Sequence, residues 1–123
     1  MRCDCHDENC PVEATLQLIG GKYKALILWH LLDQTLRFGE LRRLIPQATS
    51  KMLTQQLREL EESRMLIRTV YPVVPPKVEY ALTELGRSIR PILFHMYDWG
   101  ADYLRGNGIP VHCSMTAGRD PRA

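Results

Sequence analysis

One predicted helix carries on a single face the side chains that DNA recognition uses. Residues 51–63 are amphipathic, because Leu53, Leu57 and Leu60 fall together at about 100° per residue. The polar side of this helix and its cap consists of Ser50, Lys51, Thr54, Gln55 and Arg58. Cationic side chains neutralise phosphates or bind guanine, a Gln amide bonds adenine, and short hydroxyls suit close contacts. The pattern predicts a helix that enters the major groove of DNA.

The charge distribution favours the same interpretation. The chain has 16 Lys and Arg against 14 Asp and Glu, a formal charge of +2. Residues 37–77 contain eight basic and four acidic side chains, so this segment is +4 and the remainder is −2. A locally basic segment is typical of a nucleic-acid-binding face, although a solvated helix surface has the same composition. Arg37, Arg68 and Lys77 are the further candidate DNA contacts in this segment.

Cysteines cluster near the start of the chain, and three interpretations of them stay open. The first is a thiol sensor at Cys10, which precedes Pro11 at the predicted start of a helix. Backbone amides and the helix dipole favour a thiolate there. The acidic residues Asp7, Glu8 and Glu13 act in the opposite direction.

The second interpretation is a metal site, and the third is a set of reduced thiols without a role. Soft ligands are available in Cys3, Cys5, His6 and Cys10, and in His112 with Cys113. The spacing matches no standard zinc motif, because no Cys-x-x-Cys pair is present. We therefore predict no resident metal or other cofactor.

Composition excludes several classes of protein. A chain of 123 residues with 45% apolar residues suits one folded domain and is too apolar for disorder. There is no apolar run long enough to span a membrane, and the acidic start does not resemble a signal peptide, so we expect a cytoplasmic protein. There is also no Gly-rich phosphate loop, G-x-S-x-G motif or suitably placed acid pair, which argues against an enzyme.

The elements that would position these side chains follow in a characteristic order. The periodicity predicts helices at 11–19, 22–33, 38–45 and 51–63, and a short strand at 36–37. A hairpin at 65–71 and 78–82 and a last helix from Thr83 to about residue 105 follow. Pro91 is expected to kink this last helix, and His30 is expected to be a hydrogen-bonded core residue. The order is that of a winged helix-turn-helix, in an α+β, mostly α, fold.

Several motifs in this order resemble the HxlR-type winged-helix regulators. The resemblance covers about residues 10–105 and rests on Ile19–Lys24, Arg37–Leu41, Ser50–Glu61, Val70–Tyr80, Leu82–Gly86 and Asp98–Gly100. Two positions depart from the family pattern. Gln47-Ala48-Thr49 replaces a glycine-containing turn, and Arg64 stands where a glycine often ends the recognition helix.

The resemblance implies a transcription regulator that binds an inverted-repeat operator as a two-fold dimer through its first and last helices. It also implies oxidant or electrophile sensing at a Cys-Pro-like position, here Cys10. Double-stranded DNA and a second copy of the chain are then the expected partners. The expected organisation is a flexible Cys-containing arm (1–9), the DNA-binding domain with its dimerisation helices (10–105) and a flexible tail (106–123).

The sequence also gives its own reason for a dimer. The last helix has a large apolar set: Ile89, Ile92, Leu93, Met96, Tyr97 and Tyr103. This set could cover the second helix of its own chain, a second copy, or both. The competing function is a protein-interaction module on the same scaffold without DNA, which the retained Lys51 and Arg58 argue against.

Overall fold

The computed structural model describes residues 9–112, which fold into six helices and three strands. The helices are α1 (Pro11–Ile19), α2 (Lys24–Leu31), α3 (Phe38–Leu44), α4 (Ser50–Glu62), α5 (Glu84–Arg87) and α6 (Arg90–Gly106). The strands are β1 (Leu36–Arg37), β2 (Leu66–Tyr71) and β3 (Lys77–Leu82). The predicted fold class is therefore confirmed. The predicted arm and most of the predicted tail lie outside the described residues, and no helix within 9–112 could cross a membrane.

Helix α2 is the centre of the core. Its apolar side chains are packed on nearly all sides, and Ile27 and Leu28 are completely buried. The prediction for His30 was wrong in one respect: the side chain is buried, but its Nδ1 atom has no hydrogen-bond partner among residues 9–112.

Helices α3 and α4 form the helix-turn-helix. Helix α3 ends before Pro46, because a residue that precedes proline avoids helical angles. Thr49 then caps α4, and its Oγ1 accepts a hydrogen bond from the Met52 N–H at 3.1 Å. Leu53, Leu57 and Leu60 are buried as predicted, so the opposite side of α4 faces outward.

Helix α4 ends in a Schellman motif at Arg64. The Met65 N–H bonds the Leu60 carbonyl at 2.9 Å and the Arg64 N–H bonds the Glu61 carbonyl at 3.0 Å. The backbone of Arg64 has φ 65°, which is in the left-handed region that favours glycine. The Thr83 hydroxyl donates to the Arg64 carbonyl at 2.6 Å and so ties this turn to the end of β3.

The sheet is antiparallel, with strand order β1-β3-β2. Its long hairpin runs from the pair Leu66–Leu82 to the pair Tyr71–Lys77, and residues 72–76 connect the two strands. The proline-rich segment thus lies at the tip of the hairpin, where prolines remove no ladder hydrogen bonds. This hairpin is the predicted wing.

The prediction of one kinked last helix was wrong, because the segment forms two helices. Helix α5 ends at Arg87, and α6 begins at Arg90 with Pro91 in its first turn. Proline lacks the N–H that a continuous helix would bond to the residue 87 carbonyl, and its ring crowds that carbonyl. The same residue fits the first turn of a new helix, where the N–H has no intrahelical partner.

The left-handed turn at Arg64 makes a testable prediction. Arg64→Gly should stabilise the fold by about 1 kcal/mol, because it removes the steric cost of a Cβ atom at positive φ. The midpoint of urea unfolding measures this change. The control is Ser63→Gly, one residue earlier at φ −82°, which should lower the midpoint. A lower midpoint for Arg64→Gly than for the parent chain would contradict the assignment.

Candidate nucleic-acid interface

The outer face of α4 brings together the five side chains predicted on it. Ser50, Lys51, Thr54, Gln55 and Arg58 are all exposed and line one concave surface. Phe38 and Glu59 complete its wall. We call this surface the α4 face. It presents two cations, an amide and two hydroxyls, the set of groups that contacts phosphates and base edges.

Arg68 of β2 extends the α4 face toward the wing. It lines a second concavity together with Thr54, Leu57, Arg58, Glu61 and Tyr80. Because Thr54 and Arg58 belong to both concavities, the two surfaces adjoin. Within residues 9–112, Lys51, Arg58 and Arg68 form no ion pair, although Glu59 and Glu61 lie on the walls of the two concavities.

The other two predicted contacts, Arg37 and Lys77, are arranged differently. Both lie around Glu79 of β3: Arg37 is its partner in the sheet register, and the Lys77 Nζ lies 3.3 Å from its Oε2. Lys77 also covers the Tyr71 ring at 5.0 Å. Neither lines the α4 concavities.

Glu79 offsets part of the positive charge at the base of the wing. A hydrogen bond from the Tyr71 hydroxyl is the largest cause that lowers the pKa of Glu79, and the charges of Lys77 and Arg37 act in the same direction. The same hydrogen bond raises the pKa of Tyr71. The wing therefore offers less uncompensated charge to DNA than its sequence suggests.

The turn before α2 holds α4 in place. The Tyr23 N–H donates to the Gln56 Oε1 at 3.1 Å, and the Tyr23 hydroxyl donates to the Gln47 carbonyl at 3.1 Å. One tyrosine thus bonds both the recognition helix and the turn that precedes it. Gly21 permits this approach, since a Cβ atom there would lie 2.5 Å from the Gln56 Oε1.

An ion pair adds to this contact. The Lys24 Nζ lies 2.9 Å from the Glu59 Oε1, and the exposed fractions of the two side chains are 11% and 38%. The hydrogen bond from Lys24 and its charge lower the pKa of Glu59, and a hydrogen bond from Gln55 adds to this effect. Glu59 therefore contacts both Lys24, which anchors α4, and Gln55, which lies on the α4 face. We call the contacts of Tyr23 and Lys24 with α4 the α2–α4 seam.

The sequence reasoning did not identify the α2–α4 seam. The available signal was a lysine at the start of a strongly apolar helix, because a charge there needs a partner. Its partner lies 35 positions later (59 − 24), on the side of α4 between its polar and buried faces. Helical periodicity does not predict such a pairing.

Cys10 lies at the N-cap of α1, and Pro11 is the first helical residue. The thiol is buried, with only 1% of the residue exposed. Cys3, Cys5, His6 and Cys113 lie outside the described residues. Among residues 9–112, no group of three or more His, Cys, Asp or Glu side chains is arranged to hold a metal ion.

Comparisons with known proteins agree with this architecture. A family model described as HxlR-like helix-turn-helix matches residues 18–107. The uncharacterized HTH-type transcriptional regulator YdeP of Bacillus subtilis is 56% identical over 96 residues, which are 78% of this chain and 75% of that protein. YybR of the same organism, described in the same words, is 54% identical over 108 residues, 83% of this chain and 86% of that protein.

A solved structure has the same fold. The redox regulator HypR in its oxidized form is 53% identical and superimposes with a TM-score of 0.73. The match covers 76% of this chain and 96% of that one.

The ion pair of the α2–α4 seam should respond asymmetrically to substitution. Glu59→Gln should destabilise the protein more than Lys24→Met, because it leaves a buried ammonium unpaired, whereas Lys24→Met leaves a carboxylate that water can reach. Thermal unfolding at neutral pH compares the two. Equal losses, or a larger loss for Lys24→Met, would contradict this account.

Acidification should remove the contribution of the pair. The pKa of Glu59 is lowered below its ordinary value of 4.5 on folding, so the stabilisation is complete above that pH and disappears as the pH falls through the folded pKa. The stability difference between the parent chain and Lys24→Met should therefore shrink below about pH 4. A difference that stays constant down to pH 3 would show that ionised Glu59 is not its source.

Proposed function

The chain belongs to the HxlR-like helix-turn-helix family of transcriptional regulators, and from this premise we propose that it binds a specific operator as a two-fold dimer. In this proposal α4 enters the major groove and the wing lies beside the DNA backbone. The observation that carries the proposal is the α4 face, where five exposed polar side chains line one concave surface.

Each group on this face has a chemical role in the proposal. Gln55 and Arg58 reach base edges, because an amide suits adenine and a guanidinium suits guanine. Lys51 and Arg68 neutralise phosphates. Ser50 lies in the first turn of α4, where free backbone N–H groups also favour a phosphate oxygen, and Thr54 lies one turn later. Arg37 and Lys77 contribute weaker contacts to the backbone, because Glu79 offsets their charge.

The exposed apolar side chains of α1 and α6 support the dimer. On α6, Ile92, Met96, Trp99 and Tyr103 follow one another at helical spacing and are exposed, and the rings of Trp99 and Tyr103 stack at 5.7 Å. We call these four residues the α6 stripe. On α1, Val12 and Leu16 are also exposed at helical spacing. A second copy that covers these side chains removes an apolar surface that is unusual on a monomer.

The opposite side of α6 packs on its own chain. Ile89 and Leu93 are buried, and the Tyr97 ring stacks on Trp29 at 5.6 Å. The apolar set of this helix therefore divides between its own core and the exposed stripe. In the proposal, the dimer places two α4 helices in successive major grooves, about 34 Å apart.

Cys10 is the proposed sensor of oxidants or electrophiles. Its place at the N-cap of α1 favours a thiolate whereas its burial opposes one, and the similar protein HypR is a redox regulator. Disulfide formation with a second thiol would transfer two electrons to the oxidant and release two protons. An electrophile would instead add to the thiolate. Because α1 belongs to the proposed dimer surface, either change would alter how the two α4 helices are held.

The first prediction for this function separates base reading from charge. Gln55→Ala should flatten the preference between the operator and single-base variants of it, whereas Lys51→Ala should weaken every duplex by about the same factor. Lys51→Ala should also reduce the slope of log affinity against log salt concentration by about 1. Fluorescence anisotropy on DNA from upstream of the protein's own gene measures both effects.

The control is Gln17→Ala, on the exposed part of α1, which should change neither base preference nor the salt slope. If Gln55→Ala preserved the full preference for the operator, the assignment of Gln55 to a base edge would be wrong. If no variant of the α4 face changed DNA affinity, the proposed function itself would fail.

The second prediction concerns the switch. A mild thiol oxidant should change operator affinity in the parent chain but not in Cys10→Ser, while the two proteins bind equally in reductant. Serine is a good N-cap residue, so this variant should keep α1 intact. Anisotropy titrations in reductant and after oxidation measure the effect. An equal response to oxidation in both proteins would rule out Cys10 as the sensor.

A further inference from the structure

One carboxylate lies among the cations of the α4 face. Glu59 lines the same concave surface as Gln55 and Arg58, and 38% of its side chain is exposed. A negative charge at this place repels the phosphates of DNA unless a cation offsets it. The sequence analysis gave Glu59 no role in DNA binding, so its place on this surface calls for a function.

Lys24 holds this carboxylate from the buried side. The Lys24 Nζ lies 2.9 Å from the Glu59 Oε1, and only 11% of the Lys24 side chain is exposed. The hydrogen bond from Lys24 lowers the pKa of Glu59, so the carboxylate is ionised at neutral pH. An ionised carboxylate accepts hydrogen bonds and donates none.

Gln55 precedes Glu59 by one turn of α4 and lines the same surface. Residues four positions apart on a helix have Cβ atoms about 5–6 Å apart, which brings their side chains into contact. The Gln55 amide donates a hydrogen bond to Glu59. Because the carboxylate only accepts, the NH2 group of the amide must face Glu59, and the amide oxygen must point away from it.

An amide fixed in this way distinguishes adenine from guanine. One N–H of Gln55 is bonded to Glu59, so the other N–H and the Oε1 atom remain free. Adenine offers one acceptor, N7, and one donor, the N6 amino group, which match this pair. Guanine offers two acceptors, N7 and O6, and would need both N–H groups.

We propose that Glu59 is a specificity-determining residue that positions the Gln55 amide to bind adenine and to reject guanine. The proposal rests on the proposed function, in which Gln55 reaches a base edge. The neighbouring Gln56 has a different task, because its Oε1 accepts the Tyr23 N–H at 3.1 Å and holds the helix in place. The competing role for Glu59 is a direct contact with the amino group of cytosine, which also bonds carboxylates.

The first experiment requires no DNA. In NMR spectra of the full parent chain, the side-chain amide resonances of Gln55 should move as the pH falls below 4.5 and Glu59 takes up a proton. The carboxyl resonance of Glu59 follows that protonation directly. The Gln55 resonances should lose this response in Glu59→Ala and keep it in Glu62→Ala. A Gln55 amide in the parent chain that ignores the protonation of Glu59 would overturn the proposal, whether or not the protein binds DNA.

The second experiment measures base discrimination. Anisotropy titrations use two duplexes that differ only at the base pair where Gln55→Ala loses its preference, with adenine or guanine at that position. The ratio of the guanine dissociation constant to the adenine constant should fall about fivefold in Glu59→Ala, the effect of one hydrogen bond. Both constants come from the same protein sample, so a partial loss of folded protein cancels in the ratio.

Glu62→Ala is the matched control for charge. Glu62 is an exposed acid of the same helix that lines neither concavity of the interface. Its removal should change the affinity for both duplexes by the same factor and keep the parent ratio. A change of the ratio in Glu62→Ala as large as that in Glu59→Ala would show that charge alone is responsible and would overturn the proposal.

The remaining outcomes separate the competing explanations. An unchanged ratio in Glu59→Ala would overturn the positioning role, and a lost preference for cytosine at another position would then identify a direct contact. Failure of the parent chain to prefer any duplex would count against the proposed function. The titration of the free protein would still decide whether Glu59 fixes the Gln55 amide.

Discussion

The need of one buried cation for a partner organises the DNA-facing half of this protein. Lys24 begins a helix that is otherwise packed into the core, and its ammonium is compensated by Glu59, 2.9 Å away on α4. A buried charge without a partner is unfavourable, so the packing of α2 against α4 keeps Lys24 and Glu59 together. Tyr23 adds a hydrogen bond to α4 and another to the turn before it. These contacts add to the packing of the buried leucines, which leaves the α4 face directed outward.

Charge compensation also distinguishes the two basic parts of the surface. The cations of the α4 face have no acidic partner among the described residues, whereas the cations at the base of the wing share Glu79. Release of counterions from DNA follows the charge that a protein can offer to phosphates. The α4 face is therefore the main source of both affinity and base preference in the proposed complex, and the wing has a secondary role.

Local sequence rules predicted most of the fold and failed where a residue has two possible uses. The helical and alternating periods of the sequence correctly predicted the helix-turn-helix and the wing. Pro91 illustrates the limit, because proline can kink a helix or begin a new one, and here it lies in the first turn of α6. Arg64 was identified as a substitution at a glycine position, and its positive φ shows that the backbone keeps the glycine-like conformation.

The candidate site shows the same division. The α4 face follows from the 3.6-residue period of one helix, so its five members were predicted together. The α2–α4 seam and the surroundings of the buried His30 depend on pairs of elements distant in sequence, whose relative positions no local pattern encodes. A buried histidine is generally expected to form a hydrogen bond. Whether the packed helices supply a partner depends on the tertiary structure.

The most direct test of this account is an NMR titration that follows the side-chain amides of glutamine as DNA is added. The duplex is one selected for tight binding by the parent chain, so no substitution is required. DNA should cause a large shift of the Gln55 amide on the α4 face, a small shift of Gln56, which bonds Tyr23, and no shift of Gln17 on α1. An unchanged Gln55 amide with a shifted Gln17 amide would contradict it and place the DNA on another surface.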